Sequence, residues 1–191
     1  MDATALLRPG VLDDRVVVLG GGGSLGPALA ALGAATPVLP VTTDEEAAMA
    51  HAQKLLTTHD RIDVLLHDLR PGYGAGGHDA LRATLDTAWI TIRAVATTAF
   101  IPGERGGRVV VFAPPPRDDD PSSAGVRAAA ENLARTLSIE WARHSITTVA
   151  ITPGAATTDD ELSALAAYLA SPAGAYFSGC RLALGDVAAT A

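Results

Sequence analysis

The 191-residue chain lacks the features that mark several broad classes of protein. It has one cysteine, Cys180, which excludes an internal disulfide and a cysteine-rich metal site. Lys54 is its one lysine, and the formal net charge of −7 is spread along the chain, so the sequence gives no sign of a basic surface for nucleic acid or an anionic membrane. No apolar run approaches the roughly 20 residues that a bilayer requires. We therefore expect no nucleic acid partner and no membrane association.

Apolar sequence, by contrast, is plentiful. Hydrophobic residues make up 48% of the chain and its mean hydropathy is +0.24, which argues against disorder. The length suits one domain with a substantial core, and no repeat or linker divides it, so we predict a single domain over residues 1–191. The first ten residues lack the charged and apolar regions of a signal peptide, and we expect a cytoplasmic protein.

Short apolar runs alternate with longer segments of helical period, a pattern typical of a parallel sheet covered by helices. The sequence therefore predicts an α/β fold with a doubly wound parallel sheet. Six runs rich in Val, Ile or Leu are predicted as strands: 15–19, 37–41, 62–66, 108–112, 146–151 and 180–184. Five segments between them are predicted as helices: 24–34, 44–58, 79–101, 123–143 and 159–170.

Two of these helices begin with the sequence of a capping box. In this motif a hydroxyl and a carboxylate three residues apart bind the free amide groups of the first turn. The two pairs are Thr43 with Glu46, and Thr158 with Glu161. We predict that both helices begin there.

A glycine-rich turn joins the first strand to an alanine-rich helix. It runs from Gly20 through Ser24 and Leu25 to Gly26. Such glycines let the backbone approach a pyrophosphate, which would lie on the amide groups at the start of the helix. Four consecutive glycines also match many patterns by chance. Two interpretations stay open, a dinucleotide site and an inherited turn without a ligand, and we favour the second.

Three segments in order resemble the short-chain dehydrogenase/reductase family. VVVLGGGGSLG, at 16–26, is similar to the family's TGxxxGxG segment. ENLARTLSIEWARHSITTVAITPG, at 131–154, resembles the helix, strand and Pro-Gly that follow its active site. LASPAGAYFSGCRLALGD, at 169–186, resembles its C-terminal helix end, turn and last strand. The resemblance covers nearly the whole chain and implies a three-layer, Rossmann-like fold.

The family's catalytic positions hold residues that cannot perform its chemistry. The resemblance places the catalytic Ser, Tyr and Lys at Pro114, Ser123 and Arg127, and the catalytic Asn near Trp89. Proline has no donor, and a serine hydroxyl is too weak an acid to replace an activated phenol. A guanidinium does not reproduce the compact charge of lysine. We therefore predict no catalytic residues in this chain.

Ser123 and Arg127 could instead form a site of another kind. A hydroxyl at a helix start with an arginine one turn later is suited to a carboxylate or phosphate. The interpretation that needs no ligand is that Ser123 caps the helix and Arg127 is exposed, and this is the one we adopt.

The resemblance also implies an eroded cofactor site. The family's NNAG segment is replaced by HDLR at 67–70, so Arg70 stands where a small glycine lets the cofactor approach. Val41 stands where the family often has an Asp that contacts adenine. We expect no cofactor, with NAD(P) as the cofactor if the chain is active. The remaining cofactor-binding positions are Gly20, Ser24, Leu25, Gly26, Pro153 and Gly154.

Two parts of the family's chain have no counterpart here. One short helix joins the glycine turn to strand 37–41, which implies that a strand–helix unit is deleted, together with the residue that reads the ribose. Thr158 follows Pro153 and Gly154 so closely that the substrate lid is missing as well. We predict the strand order 2-1-3-4-5-6, with 37–41 directly beside 15–19.

Two further groups of polar residues lie in turn-rich loops. His67, Asp68 and His78 could form a metal or acid/base site, but we interpret them as solvated. The acidic run 118–120 is predicted to be a surface loop.

The function predicted from these observations is that of a structural subunit. In the family, helices that match 79–101 and 123–143, together with the last strand region, build the contacts between subunits, and these parts are well kept here. We predict a non-catalytic protein that forms a hetero-oligomer with an active short-chain reductase, or a homodimer. Two alternatives stay open: an NAD(P)-dependent oxidoreductase with displaced catalytic groups, and a sensor of a nucleotide or another small ligand.

Overall fold

A computed structural model describes residues 7–185, which form a six-stranded parallel sheet with helices on both faces. The strand order is β2-β1-β3-β4-β5-β6, so the predicted order is confirmed. Leu19 pairs directly with Val38, with no strand between the first two. The strands are β1 (Val17–Gly20), β2 (Val38–Leu39), β3 (Val64–Asp68), β4 (Gly107–Phe112), β5 (Ile146–Pro153) and β6 (Cys180–Leu184).

Strand β2 is much shorter than the predicted 37–41. Pro37 and Pro40 flank its two residues, and proline has no amide to continue a ladder. The carbonyl of Pro37 still accepts from the amide of Leu19 at 2.9 Å. Proline thus limits β2 to a short edge strand.

All five predicted helices are present, and α3 is an additional single turn. Within residues 7–185, no helix is both long enough and apolar enough to cross a membrane. Helix α4 continues in a π-helical turn over Ala96–Phe100. The helices are α1 (Gly26–Ala31), α2 (Glu45–His59), α3 (Arg70–Tyr73), α4 (His78–Val95), α5 (Pro121–Glu140) and α6 (Asp159–Ala170).

The core consists of two apolar layers, one on each face of the sheet. Alternate residues of a strand point to opposite faces, so Val109 packs in one layer and Val110 in the other. Helices α2, α4 and α5 cover the first layer, and α1 and α6 cover the second. The three-layer architecture is therefore confirmed.

One of the two predicted capping boxes is present. At the start of α6, Thr158 and Glu161 bind each other's amides, as predicted. At the start of α2 the prediction was wrong, because Asp44 is the cap and accepts from the amides of Glu46 at 2.9 Å and Ala47 at 3.1 Å. The Asp44 carboxylate, one residue closer to the helix, therefore caps α2 in place of the predicted Thr43 hydroxyl.

These caps can be compared by substitution. We expect Thr158→Ala and Asp44→Ala each to lower the free energy of unfolding by about 1 kcal/mol, since each removes an acceptor for amides of the first turn. Thr43→Ala is the matched control and should change it by less than about 0.5 kcal/mol. Urea denaturation followed by circular dichroism measures all three. A loss in Thr43→Ala equal to that in Asp44→Ala would contradict the assignment of the cap.

Candidate functional site

The carboxyl edge of the sheet, where the resemblance places the cofactor, is crossed by the side chain of Arg70. Its Nε donates to Asp68 Oδ1 at 2.9 Å and its Nη2 to Oδ2 at 2.8 Å. Its Nη1 binds Asp159 at the start of α6, and its Nη2 lies 3.4 Å from Ser24 Oγ in the glycine turn. One guanidinium therefore links β3, α6 and the glycine turn.

The environment of Arg70 stabilises its charge. Burial opposes the charged form, but the hydrogen bonds to Asp68 and Asp159 outweigh that effect and raise the pKa of the guanidinium. The Asp68 side chain is only 6% exposed, so the ion pair between Arg70 and Asp68 is largely shielded from water. A ligand that approached the glycine turn along this edge would contact the Arg70 guanidinium, whose charge is already paired with the carboxylates of Asp68 and Asp159.

The turn lies close to other parts of the protein, and at Gly21 this contact requires glycine. Gly21 has a φ of +85°, and a Cβ there would overlap the carbonyl oxygen of Asp68. A Cβ on Gly22 would lie 3.4 Å from the ring of Pro71 in α3. The turn is therefore packed against the end of β3 and the start of α3. Helix α1, which follows it, has only six residues and no side-chain cap.

A small cavity of about 200 Å³ remains between the glycine turn, α3 and α4. It is lined in part by His67 and Thr84. His67 Nδ1 and Thr84 Oγ1 are buried without a hydrogen-bond partner. Pockets for drug-sized ligands occupy about 300–1,000 Å³, so this cavity is too small for a dinucleotide. Together with the guanidinium across the edge, its size means that this site does not fit NAD(P).

The residues that the resemblance places at the family's catalytic positions make contacts inside the protein. Pro114 is buried directly after β4. Ser123 is 2% exposed, and its Oγ accepts from the amide of Arg117 at 3.0 Å. The prediction that Ser123 caps its helix was wrong, because α5 begins at Pro121 and Asp120 is the cap. Trp89 lies on α4 and is 41% exposed.

Arg127, predicted to be exposed, is half-buried and connects two strand ends. Its Nη1 donates to the carbonyls of Pro114 at 2.8 Å and Pro153 at 2.7 Å. These carbonyls follow β4 and end β5, so the guanidinium joins the two strands at the carboxyl edge. The prediction failed because a carbonyl more than twenty residues away cannot be read from local sequence.

The short turn after β5 is also closed by internal bonds. The amide of Gly154 donates to the Leu184 carbonyl at 2.5 Å and to Thr157 Oγ1 at 2.9 Å. Helix α6 begins at Asp159, so only a few residues separate it from the end of β5. Among the described residues this connection has no room for a helical lid, as predicted.

The sequence did not indicate the role of Asp120. This residue is buried, accepts from the amides of Ser122 and Gly77 at 3.0 Å each, and binds the hydroxyl of Tyr73. The hydrogen bond from Tyr73 lowers the pKa of Asp120, while burial and then Asp120 raise the pKa of Tyr73. The expectation of a surface loop at 118–120 is therefore wrong for Asp120. Its position just before Pro121 was the available signal, since proline favours the first turn of a helix.

The proposed cluster of His67, Asp68 and His78 does not form. His67 is buried in β3, Asp68 is paired with Arg70, and the side chain of His78 is 86% exposed at the start of α4. Only His78 is solvated as expected. Within residues 7–185 no group of three or more His, Cys, Asp and Glu residues could hold a metal ion.

Comparison with known proteins identifies the fold. No protein-family model matches the sequence, and no curated protein matches it. A citronellol catabolism dehydrogenase from Pseudomonas aeruginosa is 20% identical, with a TM-score of 0.77 over 94% of this chain and 96% of that one. A hydroxysteroid dehydrogenase from Escherichia coli is 16% identical, with a TM-score of 0.76 over 92% and 97%. A short-chain dehydrogenase/reductase from Serratia marcescens is 20% identical, with a TM-score of 0.70 over 93% and 97%.

The chain therefore has the fold of the short-chain dehydrogenases/reductases, as the sequence predicted. At these identities the likeness defines the backbone and says nothing about the reaction. The chemistry has to be argued from the side chains at the carboxyl edge.

Burial of His67 predicts a pH dependence of stability. Desolvation lowers the pKa of His67 from about 6.5 to about 4. Below pH 6.5 the His67 imidazole binds a proton in the unfolded chain but not in the folded chain. The free energy of unfolding therefore falls by about 3 kcal/mol as the pH drops from 6.5 to 4. We expect His67→Leu to remove this part of the pH dependence in urea denaturation.

The exposed His78→Leu is the matched control for His67→Leu, since it removes a histidine from the surface of the same chain. It should leave the decline between pH 6.5 and 4 unchanged. If both variants keep the full decline, His67 is not its source.

Proposed function

We propose that this chain is a non-catalytic protein with the short-chain dehydrogenase/reductase fold and that it acts as a structural subunit. The observation that carries the proposal is the guanidinium of Arg70, which links Asp68, Asp159 and Ser24 across the place of the cofactor. A protein that bound NAD(P) in this fold would have to break that ion pair and widen a cavity of about 200 Å³.

The absence of a proton donor supports the same proposal. Reduction of a ketone needs an acid within hydrogen-bond reach of the carbonyl oxygen, and such catalysis is worth roughly 10² to 10⁴ in rate. Pro114 has no donor, and Ser123 is buried with its hydroxyl beside the amide of Arg117 and the carbonyl of Pro115. Arg127 is held by the carbonyls of two strand ends. Each group at these positions thus stabilises the fold.

The faces of α4 and α5 that point away from the sheet supply a surface for assembly. The two helices are neighbours, since a Cβ on Gly125 of α5 would lie 2.9 Å from Leu81 of α4. Trp89 is 41% exposed on α4 and Ile139 is 78% exposed on α5. Large apolar anchors of this kind are typical of the centre of an interface. The partner that we propose is an active short-chain reductase, which would present the matching pair of helices, with a homodimer as the simpler assembly.

A small-ligand sensor is the second candidate function. It is supported by the same 200 Å³ cavity, because His67 Nδ1 and Thr84 Oγ1 lack partners there. Buried polar atoms without partners are costly, and a small polar ligand that bound both would remove that cost. A titration with NAD and NADP separates a nucleotide sensor and an NAD(P)-dependent enzyme from a structural subunit.

The first test is binding of NAD and NADP to the purified chain by calorimetry. We expect no detectable binding, or binding in the millimolar range, about −4 kcal/mol, and no reduction of a ketone. Arg70→Gly removes the guanidinium and should strengthen any residual affinity. Micromolar binding by the wild-type chain, or turnover of a ketone, would restore the alternative of an oxidoreductase with displaced catalytic groups.

The second test is the oligomeric state, measured by light scattering and by co-purification with a short-chain reductase from the same cell. We expect an oligomer that Ile139→Asp disrupts, because the substitution puts a charge into an apolar interface. Ile90→Asp would not serve as this test, since Ile90 packs against the core and its replacement would damage the fold.

Val41→Asp is the matched control for Ile139→Asp. Val41 is 44% exposed but lies between β2 and α2, so this variant should assemble normally. Circular dichroism should show both variants folded. A wild-type chain that is monomeric under all conditions and purifies with no relative would overturn the subunit proposal.

A further inference from the structure

A large cavity lies at the amino edge of the sheet, opposite the glycine turn. Its volume is about 560 Å³, and it is lined by residues at the beginnings of β1, β3, β4 and β5. The resemblance places cofactor and substrate at the other edge, so this cavity is separate from the site described above. Its size falls within the range of ligand pockets.

Four arginines and one carboxylate line this cavity: Arg15, Arg61, Arg105, Arg108 and Asp63. The excess of positive charge stands out in a chain whose formal net charge is −7. Asp14 and Asp60 add their charge near Arg61 but do not line the cavity. The residues that line the cavity therefore carry a net positive charge.

The one carboxylate is already shared. Asp63 Oδ1 accepts from Arg61 Nε at 3.0 Å and lies 3.5 Å from Arg15 Nη1. Its other oxygen accepts from the amide of Val16 at 2.8 Å. Asp63 therefore balances about one of the charges of Arg15 and Arg61, and Arg105 and Arg108 add two more.

Arg108 is the most buried of the four arginines, and Asp63 leaves about three of their charges unbalanced. The contacts described for its guanidinium are to neutral groups: the carbonyls of Leu169 and Ser171, the latter at 2.8 Å, and Thr147 Oγ1 at 3.4 Å. Burial and then the like charge of Arg15 lower the pKa of Arg108. A partly buried cation near a second cation is costly, and an anion in the cavity between them would remove that cost.

Hydroxyl groups extend the polar lining beyond the arginines. Guanidinium groups bind phosphate oxygens through paired hydrogen bonds, and a phosphate monoester carries about −1.5 to −2 charges at pH 7, which matches the excess charge of the arginines. The lining also contains the hydroxyl groups of Ser138, Ser145, Thr147 and Ser178, which can bind the hydroxyls of a sugar.

We propose that this cavity binds a small phosphorylated polyol, such as a sugar phosphate. Arg105 and Arg108 bind the phosphate, and Arg15 and Arg61 add positive charge near it. The hydroxyl side chains bind the polyol. The proposal is independent of the subunit function, since it uses none of the residues at the carboxyl edge or on the outer faces of α4 and α5.

The test is a titration of the ¹⁵N-labelled chain with glucose 6-phosphate, inorganic phosphate and glucose at constant ionic strength, followed by amide NMR. We expect saturable shifts at Gly106, Gly107 and Thr147, with glucose 6-phosphate binding more tightly than about 1 mM, inorganic phosphate more weakly, and glucose not at all. Equal affinity for both phosphates would overturn the polyol part. No saturable shift with either phosphate, or shifts confined to the glycine turn, would overturn the whole proposal.

Charge variants test the role of the arginines. Arg105→Gln and Arg108→Gln should each weaken glucose 6-phosphate binding about tenfold or more, because each removes charge-assisted hydrogen bonds. Arg105 is exposed, so its replacement tests the site even if Arg108→Gln fails to fold. Arg82→Gln makes the same charge change on an exposed part of α4 and should bind like the wild type. An equal loss of affinity in Arg82→Gln would show that only the overall charge of the protein matters, and it would overturn the proposed site.

Discussion

The direct pairing of β2 with β1 is the constraint on which the carboxyl edge depends. Because Leu19 pairs with Val38, the chain must return to the sheet edge through the six-residue helix α1 and the segment that follows it. No strand is then left between β1 and β2 to present a residue to a ribose, and β2 ends after two residues between prolines. The glycine turn, which in a dinucleotide-binding fold opens onto a ligand, here lies against the end of β3 and the start of α3.

Two arginine side chains lie across the carboxyl edge of the sheet. Arg70 joins β3 to α6 and to the glycine turn, and Arg127 joins the carbonyls that follow β4 and end β5. A guanidinium is suited to this work because its donors have a fixed planar geometry and its charge persists at any physiological pH. A lysine at position 127 would offer one compact, mobile charge, useful in catalysis but less able to hold two carbonyls at once. Under the proposed function, Arg70 and Arg127 therefore make this edge of the sheet a structural one.

The elements of the fold could be predicted from the sequence, because the period of apolar residues is a local signal and the strand order followed from the length between β1 and β2. The site could be predicted only in part. The sequence alone shows that Pro114 has no donor and that Ser123 is a weak acid. The hydrogen bond between Asp120 and Tyr73, by contrast, joins residues 47 apart, and Arg127 binds carbonyls that no local pattern marks. Asp44 replaced Thr43 as a cap for a similar reason: both are good caps, and backbone geometry decides between them.

The two edges of the sheet treat positive charge in opposite ways, which bears on where a ligand can bind. At the carboxyl edge the guanidinium of Arg70 meets two carboxylates, so its charge is compensated within the protein. At the amino edge four arginines share Asp63 alone in the cavity lining, and the most buried of them contacts neutral oxygens. Since a compensated cation gains little from a further anion while an uncompensated one gains much, electrostatics favours ligand binding at the amino edge. The relatives of this fold are named as dehydrogenases. In this chain, by contrast, the unpaired positive charge favours the binding of an anion at the amino edge of the sheet.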